Sequence, residues 1–260
     1  NCANKTNTCQ YLGFPVLNAT NCQTTTNCQG ITNCLTGTRC FSSLSVSPPP
    51  TVERMSSPNI AAIDPASLPR PSDPRQAELH LEQLMQILPP FHHGIVAEPT
   101  AQALLAALFG NSPFLSRCLL SETGAFLELL TQDIDSVFNN VVTAVTPKAL
   151  ENLDEASLMA ALRRARRQVA LIVATADIGG LWPLEKITWA LSQFAEAALH
   201  AAIAHLLRQA QAVGDISLPF PDDPERDCGL IVLGLGKLGA GELNYSSDID
   251  ICVFYEPAVM

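Results

Sequence analysis

From residue 76 onward, apolar side chains recur at helical spacing through most of the chain. In the first such segment Leu81, Leu84 and Leu88 share one face, and Pro89 and Pro90 end the pattern. Similar periodicity, bounded by capping residues, prolines and glycines, predicts six further helices. They cover residues 100–109, 113–120, 125–131, 134–145, 154–176 and 184–213.

Strand character appears only near the end of the chain, in the apolar runs 230–233 and 249–255. A turn rich in glycine and a short helical segment separate the two runs. Asp248 and Asp250 stand at the head of the second run, where alternating side chains point to the same face. The pattern predicts an α+β chain, with a helical region followed by the first two strands of an α/β unit.

Composition divides the chain into four segments. Residues 1–54 are rich in Asn and Thr and hold six of the nine cysteines. They are compatible with a small disulfide module, with sequence translated upstream of a start at Met55, or with an unstructured extension, and we expect them to be non-native or disordered. Residues 55–75 are predicted to be a proline-rich extended linker, 76–214 a helical region and 215–260 the start of the catalytic domain.

Overall charge and hydropathy exclude two classes of partner. The formal net charge of −10 argues against a protein that binds nucleic acid by neutralising phosphates. No apolar run approaches the ~18 residues that a membrane helix needs. We therefore expect a cytoplasmic protein with neither nucleic acid nor membrane as a partner.

The spacing Gly234-x-Gly236-x-x-Gly239 after a strand matches the dinucleotide-binding fingerprint. That interpretation requires a crossover helix of roughly a dozen residues between two parallel strands. Between Gly239 and Asp248 there are only eight residues, and these must include the turn into the next strand. The spacing favours a nucleotidyltransferase site instead.

Such a site needs divalent metal and a close approach of backbone to phosphate. Asp248 and Asp250 carry the carboxylate oxygens that Mg²⁺ prefers. The turn can approach phosphate through its glycines, and a lysine adds positive charge. The predicted phosphate-binding residues are Gly236, Lys237, Gly239, Gly241 and Ser247.

The run GLGKLGAGELNYSSDIDICVFY resembles the signature of the bifunctional glutamine synthetase adenylyltransferase/adenylyl-removing enzymes. Residues 111–115 resemble that family's early N-S-P-[FY]-L element, and residues 158–180 resemble its arginine-bearing helix. The resemblance covers about residues 76–256. It implies a polymerase-β-like nucleotidyltransferase fold, with Asp248 and Asp250 as the Mg²⁺ pair and Ser247 as the polar residue before it.

The family has two such domains, and the position of the motif resembles the N-terminal, adenylyl-removing one. The resemblance implies glutamine synthetase as the target, ATP, ADP and inorganic phosphate as small-molecule partners, and a PII-type signalling protein as a regulator of the parent enzyme. It also implies a third metal-binding carboxylate beyond residue 260. We therefore expect this chain to be a truncated piece of a longer protein and inactive by itself.

Alternatives remain at two points. Another polymerase-β-like nucleotidyltransferase or a catalytically incomplete helical binding module would share parts of the pattern. The basic cluster at residues 163, 164, 166 and 167 is either a solvated helix face paired with nearby acids or a contact for a nucleotide or a partner protein. Its members are Arg163, Arg164, Arg166 and Arg167.

Overall fold

The computed structural model describes residues 59–257, so the predictions for residues 1–58 lie outside the described part of the chain. The described residues form two compact units. The helical unit comprises residues 59–205 together with Gly234–Asp250, and the strand unit comprises Leu206–Leu233 together with residues 251–257.

Eight helices precede the strands in the described part of the chain, and they include the seven that apolar periodicity predicts. The structure adds one short helix, α2, and three 3-10 turns at Ile60–Ala62, Pro65–Ser67 and Pro90–His92. The helices are α1 (Pro74–Ile87), α2 (His93–Val96), α3 (Pro99–Asn111), α4 (Pro113–Ser121), α5 (Thr123–Thr131), α6 (Ile134–Ala144), α7 (Glu155–Ile178) and α8 (Leu184–Val213).

Local capping explains where several of these helices begin. Asp73, Ser112, Asp133 and Asp154 each precede a helix, and each side chain accepts a hydrogen bond of 2.8–3.2 Å from the amide three residues later. These bonds satisfy amides that the helix itself leaves unpaired. At Asp133 and Asp154, hydrogen bonds from the serine three residues later hold the carboxyl pKa below its usual value.

The core of the helical unit forms where these helices pack. α1 packs along α3, and α7 packs against α4, α5 and α6. Leu84, Leu104, Phe126, Leu171 and Ile172 are completely buried there. Each large apolar side chain removed from water contributes about 1.5–3 kcal/mol, so this packing, more than helix propensity, holds the helices.

The predicted extended linker is wrong over its described part, residues 59–75. Ile60, Ile63 and Leu68 are buried in or beside the two 3-10 turns. A side chain at Gly179 would lie 2.6 Å from Ile63 Cδ1, so this segment packs tightly on the end of α7. The prolines correctly indicate an irregular backbone, but the apolar side chains between them are buried, so the segment is packed and not extended.

Strand β1 (Leu230–Gly234) pairs with β2 (Ile251–Tyr255), and the helix α9 (Gly236–Ala240) lies between them in the chain. The two strands are antiparallel. In the strand unit the Glu256 amide donates to the Gly229 carbonyl at 2.8 Å. β2 begins at Ile251, two residues later than predicted, so Asp248 lies in the preceding loop and Asp250 immediately before the strand.

The division into units differs from the predicted boundary between residues 214 and 215, since Gly234–Asp250 packs with the helices. The mostly helical content with one small sheet is that of an α+β chain, as predicted. Within residues 59–257, no helix has the length and apolar character required to span a membrane.

Candidate active site

All seven sequence-predicted site residues lie in Gly234–Asp250, which we call the motif loop. Two glycines are required by its geometry. A side chain on Gly239 would collide with the Gly234 carbonyl oxygen, so only glycine lets α9 fold back on the end of β1. Gly236 has φ +53°, a left-handed conformation that favours glycine.

The end of α9 is equally dependent on glycine. Gly241 has φ +72° and donates its amide to the Leu238 carbonyl at 3.0 Å, which caps the helix. Leu238 and Leu243 are both buried and hold the two sides of this cap in place. The positive φ angles of Gly236 and Gly241 and the close approach at Gly239 therefore explain why glycine occupies these positions of the turn.

Both aspartates are exposed, and the structure brings Asp250 to the glycine turn. The Leu235 amide donates to the Asp250 carbonyl at 2.8 Å, which joins the two ends of the motif loop. Asp250 Oδ2 lies 3.5 Å from the position that a Cβ on Gly236 would occupy. The Asp250 carboxylate therefore lies on the side of Gly236 where a side chain would stand.

The remaining predicted residues lie elsewhere on the motif loop. Lys237 is exposed, and its carbonyl accepts the Glu242 amide at 2.8 Å. Ser247 is half-buried, and its amide donates to the Asn244 carbonyl at 3.3 Å. Ser246 adopts φ +55°, unusual for a residue with a side chain, just before Asp248. The left-handed Ser246 and the turn closed by the Ser247 amide thus set the backbone direction of the residues leading to Asp248.

Sequence reasoning missed how the motif loop is attached to the helices. The Leu243 amide donates to Ser192 Oγ at 3.0 Å, and Ser192 is completely buried in α8. The Tyr245 hydroxyl donates to Asp177 Oδ2 at 3.0 Å on α7. Tyr245 belongs to the recognised motif, but no sequence signal marks Ser192 or Asp177 as its neighbours.

The donor set fits a hard divalent cation in kind. Both aspartate side chains are exposed carboxylates, and magnesium prefers such oxygens while keeping part of its water shell. Residues 59–257 contain no cluster of three His, Cys, Asp or Glu side chains able to hold a metal. Two carboxylates alone are thus suited in kind to part of a magnesium site. Its further ligands would have to come from water, phosphate or another protein group.

The arginine cluster divides into two pairs. Arg164 and Arg167 bind the buried carboxylate of Glu122, with nitrogen–oxygen distances of 3.1 and 2.6 Å, and Gln168 donates to the same carboxylate at 3.3 Å. Arg163 and Arg166, the other pair, are exposed. For the first pair, the structure supports the interpretation as a helix face paired with an acid.

The same carboxylate belongs to the junction between α4 and α5. Glu122 is only 4% exposed and follows the last residue of α4. Its charge would be costly to bury alone, so the two guanidinium groups are needed to compensate it. These arginines consequently tie α7 to the preceding helices.

The sheet also decides between the two interpretations of the glycine spacing. A dinucleotide-binding fingerprint joins two parallel strands through a long crossover helix. Here β1 and β2 are antiparallel, and α9 has five residues. The dinucleotide interpretation is therefore excluded for this turn.

Comparison with known proteins gives a consistent result. A family model described as glutamate-ammonia ligase adenylyltransferase matches residues 102–260. A protein of Bradyrhizobium diazoefficiens is 38% identical over 186 residues, which cover 72% of this chain and 19% of that relative. A protein of Bartonella quintana is 45% identical over 155 residues, covering 58% of this chain and 16% of the relative.

A third relative, from Rhodopseudomonas palustris, is 42% identical over 158 residues, covering 61% of this chain and 16% of the relative. All three carry the name bifunctional glutamine synthetase adenylyltransferase/adenylyl-removing enzyme. The chain spans less than a fifth of the length of these curated relatives. The matched region contains most of the helical unit and the whole motif loop, and the chain belongs to the glutamate-ammonia ligase adenylyltransferase family.

Proposed function

We propose that this chain contributes a nucleotidyl-transfer site that removes AMP from a tyrosine of glutamine synthetase by phosphorolysis. Membership of the family supports nucleotidyl transfer on glutamine synthetase as the class of reaction. The observation that carries the proposal is the contact between the Asp250 carboxylate and the Gly236 turn. If Asp250 binds the metal, this contact would bring the metal beside backbone that a phosphate can approach.

The proposed reaction exchanges one oxygen on phosphorus for another. An oxygen of inorganic phosphate forms a bond to the phosphorus of the tyrosine-linked AMP, and the bond from that phosphorus to the tyrosine oxygen breaks. The products are ADP and a free tyrosine, whose oxygen takes up a proton. Asp248 and Asp250 would hold Mg²⁺, which neutralises charge on the phosphoryl oxygens.

The motif loop supplies the remaining functions. Gly236 is exposed and has no side chain to keep phosphate oxygens away from its backbone, and the exposed Lys237 would add a positive charge at the same turn. Gly241 keeps α9 short by ending it in a left-handed residue. Ser247 gives a half-buried hydroxyl next to the aspartate pair.

The removing direction rests on the order of motifs along the chain. The N-S-P-F-L element and the arginine helix precede the motif loop, an order that resembles the N-terminal transferase domain of the family. The parent enzyme would also attach AMP from ATP in its other domain. A PII-type regulator and a cytoplasmic location belong to the same proposal and rest on the resemblance.

The test uses the intact natural protein with adenylylated glutamine synthetase carrying labelled AMP. With inorganic phosphate and Mg²⁺, label should appear as ADP. Asp248→Asn and Asp250→Asn should each slow this release by about a hundredfold or more, since a metal contributes several kcal/mol to such transition states. Asp222→Asn, which changes an exposed aspartate outside the motif loop, is the matched control and should keep full activity.

The products distinguish the parts of the proposal. Release of labelled AMP would show hydrolysis instead of phosphorolysis. If the two aspartate variants lost only the ATP-dependent attachment of AMP and still released it, the proposed removing direction would be wrong. Unchanged ADP formation in both aspartate variants would contradict the metal assignment.

A further inference from the structure

We propose that Ser192 and the Tyr245–Asp177 pair are positioning residues, which hold the motif loop on α7 and α8 and so fix Asp250 beside Gly236 and Asp248 in the loop just before it. This proposal rests on the proposed function in that the two aspartates are taken as the metal-binding pair. All the residues involved belong to the helical unit. None of the three positioning residues is proposed to touch the substrate or the metal.

The first attachment is a buried serine in the middle of a helix. Ser192 Oγ donates to the Thr188 carbonyl of its own helix at 2.9 Å and accepts the Leu243 amide at 3.0 Å. Its hydroxyl therefore has both a donor and an acceptor partner within a fully buried environment. A buried amide left without an acceptor is costly, so alanine at this position would release the loop backbone.

The second attachment lies two residues further along the motif loop. The Tyr245 hydroxyl donates to Asp177 Oδ2 at 3.0 Å and lies 3.4 Å from the Val173 carbonyl oxygen. Val173 and Asp177 are separated by one turn of α7. The tyrosine therefore anchors the loop to the last turns of this helix.

The attachments act on the aspartates because the intervening chain is short. Only two residues lie between Tyr245 and Asp248, and consecutive Cα atoms are only 3.8 Å apart. Ser246 in its left-handed conformation and the bond from the Ser247 amide to the Asn244 carbonyl stiffen this link further. The Leu235–Asp250 backbone bond closes the other end. A shift of the anchored end is therefore passed to the aspartate pair.

Hydrogen exchange tests the attachment without requiring activity. In this chain, Ser192→Ala should speed exchange of the Leu243 amide by about tenfold or more, and Tyr245→Phe should speed exchange of residues 243–248 to a smaller extent. Amides in α3 and α6 should exchange at the wild-type rate. Thr188→Ala removes a half-buried hydroxyl from the same helix, and Tyr255→Phe removes a phenol from β2, so both should leave the motif loop unchanged.

Metal binding tests whether the attachment positions the aspartates. Mn²⁺, measured by its electron paramagnetic resonance, serves as the probe. Asp248→Asn should bind Mn²⁺ more weakly than the wild-type protein. Ser192→Ala should weaken binding by about tenfold, which is the lower end of the effect seen for residues that orient metal ligands. Asp177→Ala should resemble Tyr245→Phe. Asp177→Asn keeps an oxygen that accepts the tyrosine hydroxyl, so it should restore most of the affinity.

Kinetics of the intact protein give the third measurement. The positioning variants should lower kcat for release of AMP while KM for adenylylated glutamine synthetase stays within about twofold, because a shift of the aspartates affects the transition state more than the binding of the partner. If the wild-type protein releases no AMP, the proposed function fails while exchange and Mn²⁺ affinity still decide the positioning role. The positioning role would be overturned if Ser192→Ala sped exchange but left Mn²⁺ affinity unchanged. It would also be overturned if the Leu243 amide exchanged at the wild-type rate in that variant. If Ser192→Ala does not fold, Tyr245→Phe and the two Asp177 variants decide the question.

Discussion

The hydroxyl of Tyr245 donates a hydrogen bond to the carboxylate of Asp177 at 3.0 Å, linking the motif loop to α7 across 68 residues of sequence. Tyr245 is 46% exposed, and the partial burial of its phenol, followed by the negative charge of Asp177 and this hydrogen bond, raises the pKa of Tyr245 above its usual value. All three effects favour the neutral phenol, which is the form that can donate the hydrogen bond. The attachment therefore depends on pH in the alkaline range.

Tyr245 should ionise later than a free tyrosine. In the unfolded chain this phenol loses its proton near pH 10, whereas in the folded protein it keeps the proton to higher pH. Its contribution to stability is therefore fully present below about pH 10 and is lost as pH rises through the folded pKa. The difference in ultraviolet tyrosinate absorbance between wild type and Tyr245→Phe measures this step directly.

Tyr255→Phe is the matched control for that titration, because it removes an exposed tyrosine from β2. The late step should persist in this variant and disappear in Tyr245→Phe. Ionisation of Tyr245 near pH 10 in the folded protein would show that its hydroxyl is not held by Asp177.

Gly239→Ala should destabilise the protein by about 1–3 kcal/mol, the usual cost of forcing extra volume into a packed site. The added methyl group would meet the Gly234 carbonyl oxygen, which is backbone and cannot rotate away. Urea unfolding measures the change. Gly124→Ala is the control, since no heavy atom lies within 4 Å of the added methyl group. It should be neutral or slightly stabilising, and equal losses in the two variants would contradict the close approach.

Arg167→Ala should destabilise the protein by about 2 kcal/mol, within the range for hydrogen bonds to charged groups. The substitution removes two hydrogen bonds from the Glu122 carboxylate, whose side chain is only 3% exposed. Arg163→Ala changes an exposed arginine on the same helix and should stay within about 0.5 kcal/mol of wild type. Comparison of the two unfolding midpoints in urea tests whether the cluster is divided as the structure shows.

Gly110→Ala should loosen the segment before α1. A methyl group there would collide with Pro71, and the Gly110 carbonyl accepts hydrogen bonds from the Ser72 hydroxyl and the Asp73 amide. We expect a loss of about 1–3 kcal/mol and faster hydrogen exchange at residues 72 and 73. Gly94→Ala adds its methyl group in open space and should leave this exchange unchanged. Unaltered exchange in Gly110→Ala would mean that the segment does not pack on α3.

The helices could be predicted because their signals are local. Asp154 begins α7 through a bond to an amide three residues away, and a left-handed Gly180 follows its end. Such signals need only the neighbouring residues, which the sequence contains. The segment containing Ile63 shows the limit. Its prolines predict irregular backbone, but its burial depends on Gly179, more than a hundred residues away.

The candidate site shows the same division. Its aspartates and glycines are readable as a motif, since residue types and spacing carry the chemistry. Ser192 is not readable, because a serine in a long helix usually has no special role and its partner, Leu243, lies 51 residues further on. The second strand starts at Ile251, two residues after the start of its apolar run, since apolar periodicity does not show where backbone pairing between strands begins.

The sequence by itself determined the helical pattern, the α+β class and the glycine–aspartate motif that resembles one enzyme family. Each of these depends on neighbouring residues or on a contiguous run. Only the tertiary structure decided that Asp250 lies against the turn at Gly236, that the strands are antiparallel, and that Ser192 and Asp177 hold the motif loop. These relationships come from packing between distant segments, where burial and hydrogen-bond satisfaction select partners that local spacing does not encode.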